Sequence, residues 1–186
     1  MNDHPWISFY LHKATDHKQR LLADIWMMTY DELEKNHDFI QWLFPLIEPS
    51  PVNPDAPTLT DDVITAGRDN QLILNNVLAS FDTIAAFWGF CRDDNNSITR
   101  TDYFGARSKS WLTHHNHNHL RITRVLKHLS LIGFDQLSIN TCSFLIMELN
   151  NAGLNIAEIS AINYWLEATE SNDDIELSAD DFNLDD

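Results

Sequence analysis

Apolar residues recur along this chain mostly at three- and four-residue spacing, the period of a helix with one buried face. Leu21, Leu22, Ile25 and Trp26 predict a helix over residues 16–29. A second is predicted from residue 31, where Asp31 and Glu34 stand as a capping pair before an apolar run. It must stop near Phe44, because Pro45 pushes the residue before it out of α geometry. Thr60 is a good N-cap for a short helix over 61–67. The widest stripe is Leu74, Val77, Leu78, Phe81, Ile84, Ala85 and Trp88, which predicts a long helix over 70–90. Further helices are predicted over 118–132, closed by Gly133, then over 139–151 and 156–169.

Between these periods the pattern breaks in characteristic ways. Residues 1–14 read as a loosely structured arm carrying Trp6, Phe9 and Tyr10. Residues 45–58 hold Pro45, Pro49, Pro51, Pro54 and Pro57, whose fixed φ angles and missing amide donors forbid a helix. With Leu46, Ile47 and Val52 among them, this segment is expected to be an ordered strap laid on the domain. Residues 91–108 are rich in Asp, Asn and Ser and read as polar loop, and 170–186 as an acidic, disordered tail. The expected fold class is therefore all-α: a single compact helical domain over 1–169, of six to eight helices with a Pro-rich strap.

Composition supports a self-sufficient core. The chain has 186 residues, 44% hydrophobic and 11% aromatic, with only five glycines. Cys91 and Cys142 are too few and too far apart for a disulfide framework, which points to a reducing compartment. No run approaches the roughly 20 apolar residues of a membrane span. The first nine residues lack the basic and apolar regions of a signal peptide, so a soluble, cytoplasmic chain is expected. The net charge of −16 is uneven: residues 128–186 carry twelve acids and no base, whereas 92–127 carry seven Lys and Arg against three Asp. An acidic chain is repelled by nucleic-acid phosphates, so nucleic acid is not an expected partner.

Two short runs carry the candidate chemistry. His114, His115, His117 and His119 fall within six positions, and Glu34-x-x-His37 places a carboxylate and an imidazole one helical turn apart. A Zn or Ni site built from Glu34, His37, His117 and His119 is chemically sensible. The alternative is that Asn116 or Asn118 caps a helix and the imidazoles bond local carbonyls. Arg121 and Arg124 lie one turn apart and form a candidate anion seat near a helix N-terminus. Alternatively they pair with Glu34, Asp38 or Glu48 and pin two helices together. Gln41 and Trp42 interrupt an apolar run, and a buried Gln41 must find hydrogen-bond partners. No Gly-rich phosphate loop, GxSxG or HExxH is present, so spacing supports no catalytic dyad and the reading leans away from an enzyme.

The strings His37-x-x-Ile40-Gln41-Trp42-Leu43-Phe44-Pro45 and Asn116-His117-Asn118-His119-Leu120-Arg121-Ile122-Thr123-Arg124 resemble the conserved region of the opioid growth factor receptor family. Trp26, Leu33, Glu34 and Glu48 match with them, as do Asn53, Ala56 and Leu59 in the strap, Phe87-Trp88-Gly89, Trp111, Leu126 and Gly133. The resemblance covers residues 20–135 and extends to about 165. It implies a binding domain. Animal members are described as nuclear-associated receptors for methionine-enkephalin that restrain proliferation, with basic targeting clusters that this chain lacks. No catalytic residues follow from it. The expected ligand is a peptide or small anion, held in a cleft between the 37–45 and 116–124 segments. Glu34, His37, Gln41, Trp42, Trp111, Asn116, His117, His119, Arg121 and Arg124 are the candidate binding residues. No cofactor is expected on this reading. The alternatives are a metal- or anion-dependent enzyme centred on His37, His117 and His119, and a scaffold without a small ligand. Oligomeric state is left open.

Overall fold

The computed structural model describes residues 4–170. In chain order the α-helices are α1 Pro5–Tyr10, α2 Leu22–Trp26, α3 Tyr30–Lys35, α4 Ile40–Leu43, α5 Asp61–Arg68, α6 Gln71–Trp88, α7 Phe104–Arg107, α8 Asn118–Leu131, α9 Asp135–Asn151 and α10 Ala161–Glu167. One antiparallel ribbon joins β1 Phe90–Arg92 to β2 Ile98–Arg100, with Cys91 opposite Thr99. The described chain is thus mostly helical rather than purely α, and its ten helices exceed the expected six to eight.

The long helices form where the sequence periodicity is long. The Asn70 side chain accepts the amides of Leu72 and Ile73 at 3.1 and 3.3 Å and so starts α6. Gly89, at φ 97°, ends it. A left-handed turn suits glycine, and at Gly89 a Cβ would also press on Arg107 Cβ at 2.9 Å. At the end of α8, Gly133 takes φ 87° while the Phe134 amide returns to the Leu129 carbonyl at 2.8 Å. α8 packs chiefly on α9 and α10, and α6 on α1, α5 and the ribbon.

The short helices depart from expectation, each for a local reason. Of the loose arm expected over residues 1–14, the part described from residue 4 on is instead ordered. α1 begins at Pro5, whose ring suits the first helical turn, and buries Trp6, Ile7, Phe9 and Tyr10. The Tyr10 hydroxyl donates to the Leu43 carbonyl, which ties α1 to α4. The helix expected over 16–29 shrinks to five residues. Asp16, 2% exposed, accepts the amides of Lys18 and Arg20 at 2.8 and 2.9 Å, with Gln19 at φ 62°. That side-chain competition for backbone donors holds a turn in place of a helix. The capping pair is Thr29 with Glu32, two residues before the one predicted, and the segment then breaks into α3 and α4. The 91–108 stretch holds the ribbon and α7. The last predicted helix divides into a single 3-10 turn, Ile156–Glu158, and α10.

The strap is held mainly by polar bonds. The Leu59 amide donates to the Leu46 carbonyl at 2.8 Å, and Asn53 Nδ2 to the Asp38 carbonyl at 2.8 Å. Asn53 and Leu59 are buried, whereas Ile47 and Val52, expected as apolar anchors, are exposed. Trp6, Trp88, Trp111 and Trp165 form the largest sealed pieces of the core. The expected tail lies, from residue 171 on, outside the described residues.

Candidate functional site

The two signature runs meet. α3 and α4 have six and four residues, so most of their terminal carbonyls lack an intrahelical partner. One face of α8 supplies the missing donors. Arg121 gives Nη1 to the Leu33 carbonyl and to Asn118 Oδ1, both at 3.1 Å. It gives Nη2 to the Asn36 carbonyl at 2.8 Å and to His37 Nδ1 at 2.9 Å, and its guanidinium lies 5.7 Å over the Phe39 ring. One turn on, Arg124 Nη1 donates to the Phe44 carbonyl at 3.2 Å. A further turn on, His128 Nδ1 donates to the Pro45 carbonyl at 2.8 Å. Residues 121, 124 and 128 therefore form a stripe that caps two short helices and fixes the start of the strap.

The electrostatics follow from that burial. Desolvation pulls Arg121 and Arg124 below the usual arginine range, with Glu34 and Glu48 opposing it from a distance. Direct pairing with Glu34, Asp38 or Glu48 does not occur. Glu34 instead sits 3.1 Å from His117, and Asp38 2.9 Å from Arg20. Burial also lowers His128 to about 4, against its bond to Pro45. An anion seat at the two arginines would have to break bonds that the backbone needs.

The histidine run splits by exposure. His119 is buried, donates Nε2–H to the Trp111 carbonyl at 2.7 Å and lies edge-on to Trp165. Asn118 is sealed and bridges the Ser110 carbonyl and Glu34 Oε2 at 3.0 and 3.2 Å. Asn116 caps α8 from outside: its Oδ1 accepts the Asn118 amide at 2.9 Å and its carbonyl the His119 amide at 3.1 Å. The helix N-terminus is thus internally satisfied. His117 stays half exposed, paired with Glu34, its ring centroid 5.4 Å from that of His37. Burial pulls its pKa down; Glu34 pulls it up, and Arg121 and His37 push it down further.

Glu34, His37 and His117 are thus neighbours, while the fourth predicted metal ligand, His119, is committed to Trp111. His37 Nδ1 accepts from a guanidinium, which fixes its tautomer and keeps a permanent cation beside the cluster. Among the described residues, no group of three or more His, Cys, Asp or Glu is arranged to hold a metal ion.

Of the other predicted binding residues, Trp111 is fully buried and donates to the Trp88 carbonyl at 2.9 Å. Trp42 lies between Phe9 and His17 in the core, and Gln41 is buried beside it in sequence. A hollow of about 440 Å³ opens on the far side of the 116–124 run, between it and α10. His115, Asn116, His117, His119, Leu120 and Thr123 line it from one side, Ser160, Ala161 and Tyr164 from the other. Sequence reasoning missed Leu120, Thr123 and the α10 residues. Leu120 carried a readable signal, since it falls off the apolar stripe of Ile122, Val125, Leu126 and Leu129, and it is 74% exposed. A second hollow, about 580 Å³, lies at the other end of α8, with Leu46, Ile64, Arg68, Lys127 and five carboxylates around it.

The chain matches the family described as "Opioid growth factor receptor (OGFr) conserved region" over residues 2–176. It is 35% identical over 152 residues to the opioid growth factor receptor of Rattus norvegicus, across 78% of this chain and 26% of that protein. The Homo sapiens opioid growth factor receptor is 34% identical over 144 residues, across 76% of this chain and 21% of that protein. Opioid growth factor receptor-like protein 1 of Mus musculus is 31% identical over 144 residues, covering 76% and 30% respectively. The chain spans between a fifth and a third of the length of these relatives. No solved structure matches it.

Proposed function

Because this chain belongs to the opioid growth factor receptor conserved-region family, we propose that it is a ligand-binding domain whose seat is the hollow between the 116–124 run and α10. One observation carries the reading. The buried members of the run, Asn118, His119 and Arg121, are hydrogen-bonded within the fold and His117 is paired with Glu34, whereas Leu120 is 74% exposed and lines an open hollow. An exposed leucine and tyrosine beside several imidazoles fit a short peptide with an apolar side chain. Among the described residues no Lys or Arg lines the hollow, so a ligand carboxylate would meet imidazoles rather than guanidiniums. The relatives' names carry "opioid growth factor receptor", which makes an opioid peptide the first ligand to try.

Calorimetry and thermal melting with methionine-enkephalin test it. Heat and a concentration-dependent rise in Tm are expected, with weakening of about tenfold or more in Leu120→Ser and Tyr164→Ala. No heat and no stabilisation at about 1 mM peptide, a concentration that detects Kd values into the millimolar range, overturns the opioid reading. The Arg121–Arg124–His128 stripe favours a second reading, an interaction scaffold with no small ligand, in which the signature strings serve the fold alone.

A further inference from the structure

We propose that the hollow between the 116–124 run and α10 takes a peptide by its free C-terminal carboxylate, held by the imidazoles of His115 and His117, so that binding takes up a proton. The inference rests on the reading of that hollow as a peptide seat, and it names which end of the peptide the seat holds. Its first ground is charge. The chain carries 28 Asp and Glu against 12 Lys and Arg, yet among the described residues no acid lines this hollow and three histidines do. At the other end of α8, Glu48, Asp61, Asp135, Glu167 and Glu170 surround the larger hollow. A negative group is repelled there and meets no lining carboxylate here. The three imidazoles differ in what they have left to offer. His119 spends Nε2 on the Trp111 carbonyl. His117 meets Glu34 through Nε2 at 3.1 Å, which leaves Nδ1 as its second ring nitrogen. The His115 ring is exposed and, among the described residues, makes no hydrogen bond or ion pair.

The second ground is spacing. Leu120 follows His117 by one turn, its amide 3.2 Å from the His117 carbonyl. Side chains so placed lie about 5–6 Å apart on the helix surface. A C-terminal residue bears its carboxylate and its side chain on one α-carbon, so it bridges that gap, with the carboxylate at His117 and an apolar side chain on Leu120 and Tyr164. An internal Asp or Glu carries its charge at the tip of its one side chain and leaves Leu120 uncovered. Proton uptake follows from the groups around the two imidazoles. Glu34 on α3 favours the protonated His117, while Arg121 on α8 and His37, its ring centroid 5.4 Å away, oppose it. His115 faces His119, the neighbouring His114 lies 4.0 Å from Glu158, and Tyr164 stands across the hollow on α10. Burial is the largest effect on His117 and holds it below the usual 6.5, so the free protein carries it mostly neutral at pH 7.5. An arriving carboxylate favours the protonated ring, and affinity therefore rises as pH falls through the histidine range.

Calorimetry of the full chain with methionine-enkephalin, and with the same peptide amidated at its C-terminus, tests this between about pH 5.5 and 8. The free acid is expected to bind about three- to fivefold tighter at the low end than at the high end, the worth of one solvent-screened ion pair. The amide should bind more weakly at low pH and lose that dependence. The peptide amine is common to both ligands and cancels in the comparison. Titration at about pH 6.5 in two buffers of different ionisation enthalpy should show a fraction of a proton, about 0.3 or more, taken up with the free acid and none with the amide. In the double variant His115→Gln/His117→Gln the uptake should vanish, whereas Leu120→Ser should weaken both peptides and leave the proton count unchanged. Free acid and amide binding alike, with no proton uptake, would overturn the carboxylate assignment and leave the seat standing. Persistence of the uptake in the double variant would do the same. Binding of neither peptide would remove the seat and this inference together.

Discussion

Replacing Arg121 by alanine is the sharpest test of the stripe on α8. The side chain donates to two sealed acceptors, the Leu33 carbonyl and Asn118 Oδ1, and to three at the half-buried rim, the Glu34 and Asn36 carbonyls and His37 Nδ1. A buried acceptor stripped of its partner costs about 1–3 kcal/mol, while a rim acceptor recovers most of its loss from water. The two sealed acceptors therefore set the scale, at about 3 kcal/mol. Loss of the aliphatic stem and of the contact over Phe39 adds about 1 kcal/mol. Against a typical total of about 5–15 kcal/mol, a change of about 4 kcal/mol is plainly measurable. Arg121→Lys keeps the charge but not the planar fork, so it should recover less than half. The assay is urea unfolding followed by tryptophan fluorescence, using the buried Trp88 and Trp111. A loss below about 1 kcal/mol for Arg121→Ala, or full stability for Arg121→Lys, would refute the assignment of this guanidinium as the cap of α3.

His128 gives a pH signature. Its folded pKa of about 4 lies below the ordinary 6.5, so the folded state binds fewer protons; stability is full above pH 6.5 and falls as pH drops toward 4, by about 3 kcal/mol for this group. Denaturation at stepped pH should follow that slope, and His128→Gln should flatten it while lowering stability near pH 7. His119→Ala should cost about 2 kcal/mol, since it opens a gap against Trp165 and leaves the Trp111 carbonyl with the Thr113 amide as its one remaining donor among the described residues, whereas the half-exposed His117→Ala should stay within about 0.5 kcal/mol. Equal losses at both positions would erase the division of that run. Gly67→Ala gains about 1 kcal/mol of helix propensity, but its Cβ would meet Trp6 Cζ3 at 2.8 Å and Ile132 Cδ1 at 3.3 Å, so a net destabilisation of about 1–2 kcal/mol is expected by calorimetry.

What the sequence made legible scales with the length of each period. α6 and α8 span enough turns for a stripe to stand out, and Gly89 and Gly133 mark their ends. α1 spans six residues, too few for a period, and its helicity depends on burying Trp6 and Phe9 against the rest of the fold. The turn at Asp16 was hidden because Leu21, Leu22 and Ile25 extend a false helical pattern back toward it, while the decisive bonds run from backbone amides to a carboxylate. Charge reasoning placed Arg121 and Arg124 at a helix junction but gave them carboxylate partners. The true acceptors are carbonyls at the ends of helices whose brevity the sequence did not disclose. The meeting of the 37–45 and 116–124 runs was expected and is present; a cleft was expected between them, whereas the hollow beside the 116–124 run opens on the other side of α8.

That displacement has a physical cause. Two segments that satisfy each other's polar groups leave no cleft between them, because every donor turned toward a ligand would be one withdrawn from a helix end. The 116–124 run escapes the conflict through helical geometry. Asn118 and Arg121 lie one turn apart on the buried face, with His128 two turns further along it, while Leu120 and Thr123 point to the opposite side with Tyr164 across from them. A single helix can then cap its neighbours with one face and present a surface with the other. The two jobs are coupled only through the rigidity that the first confers on the second. Substitutions at 121 and 128 should therefore act on binding only as far as they unfold α3 and α4, whereas those at 120 and 164 act on binding alone.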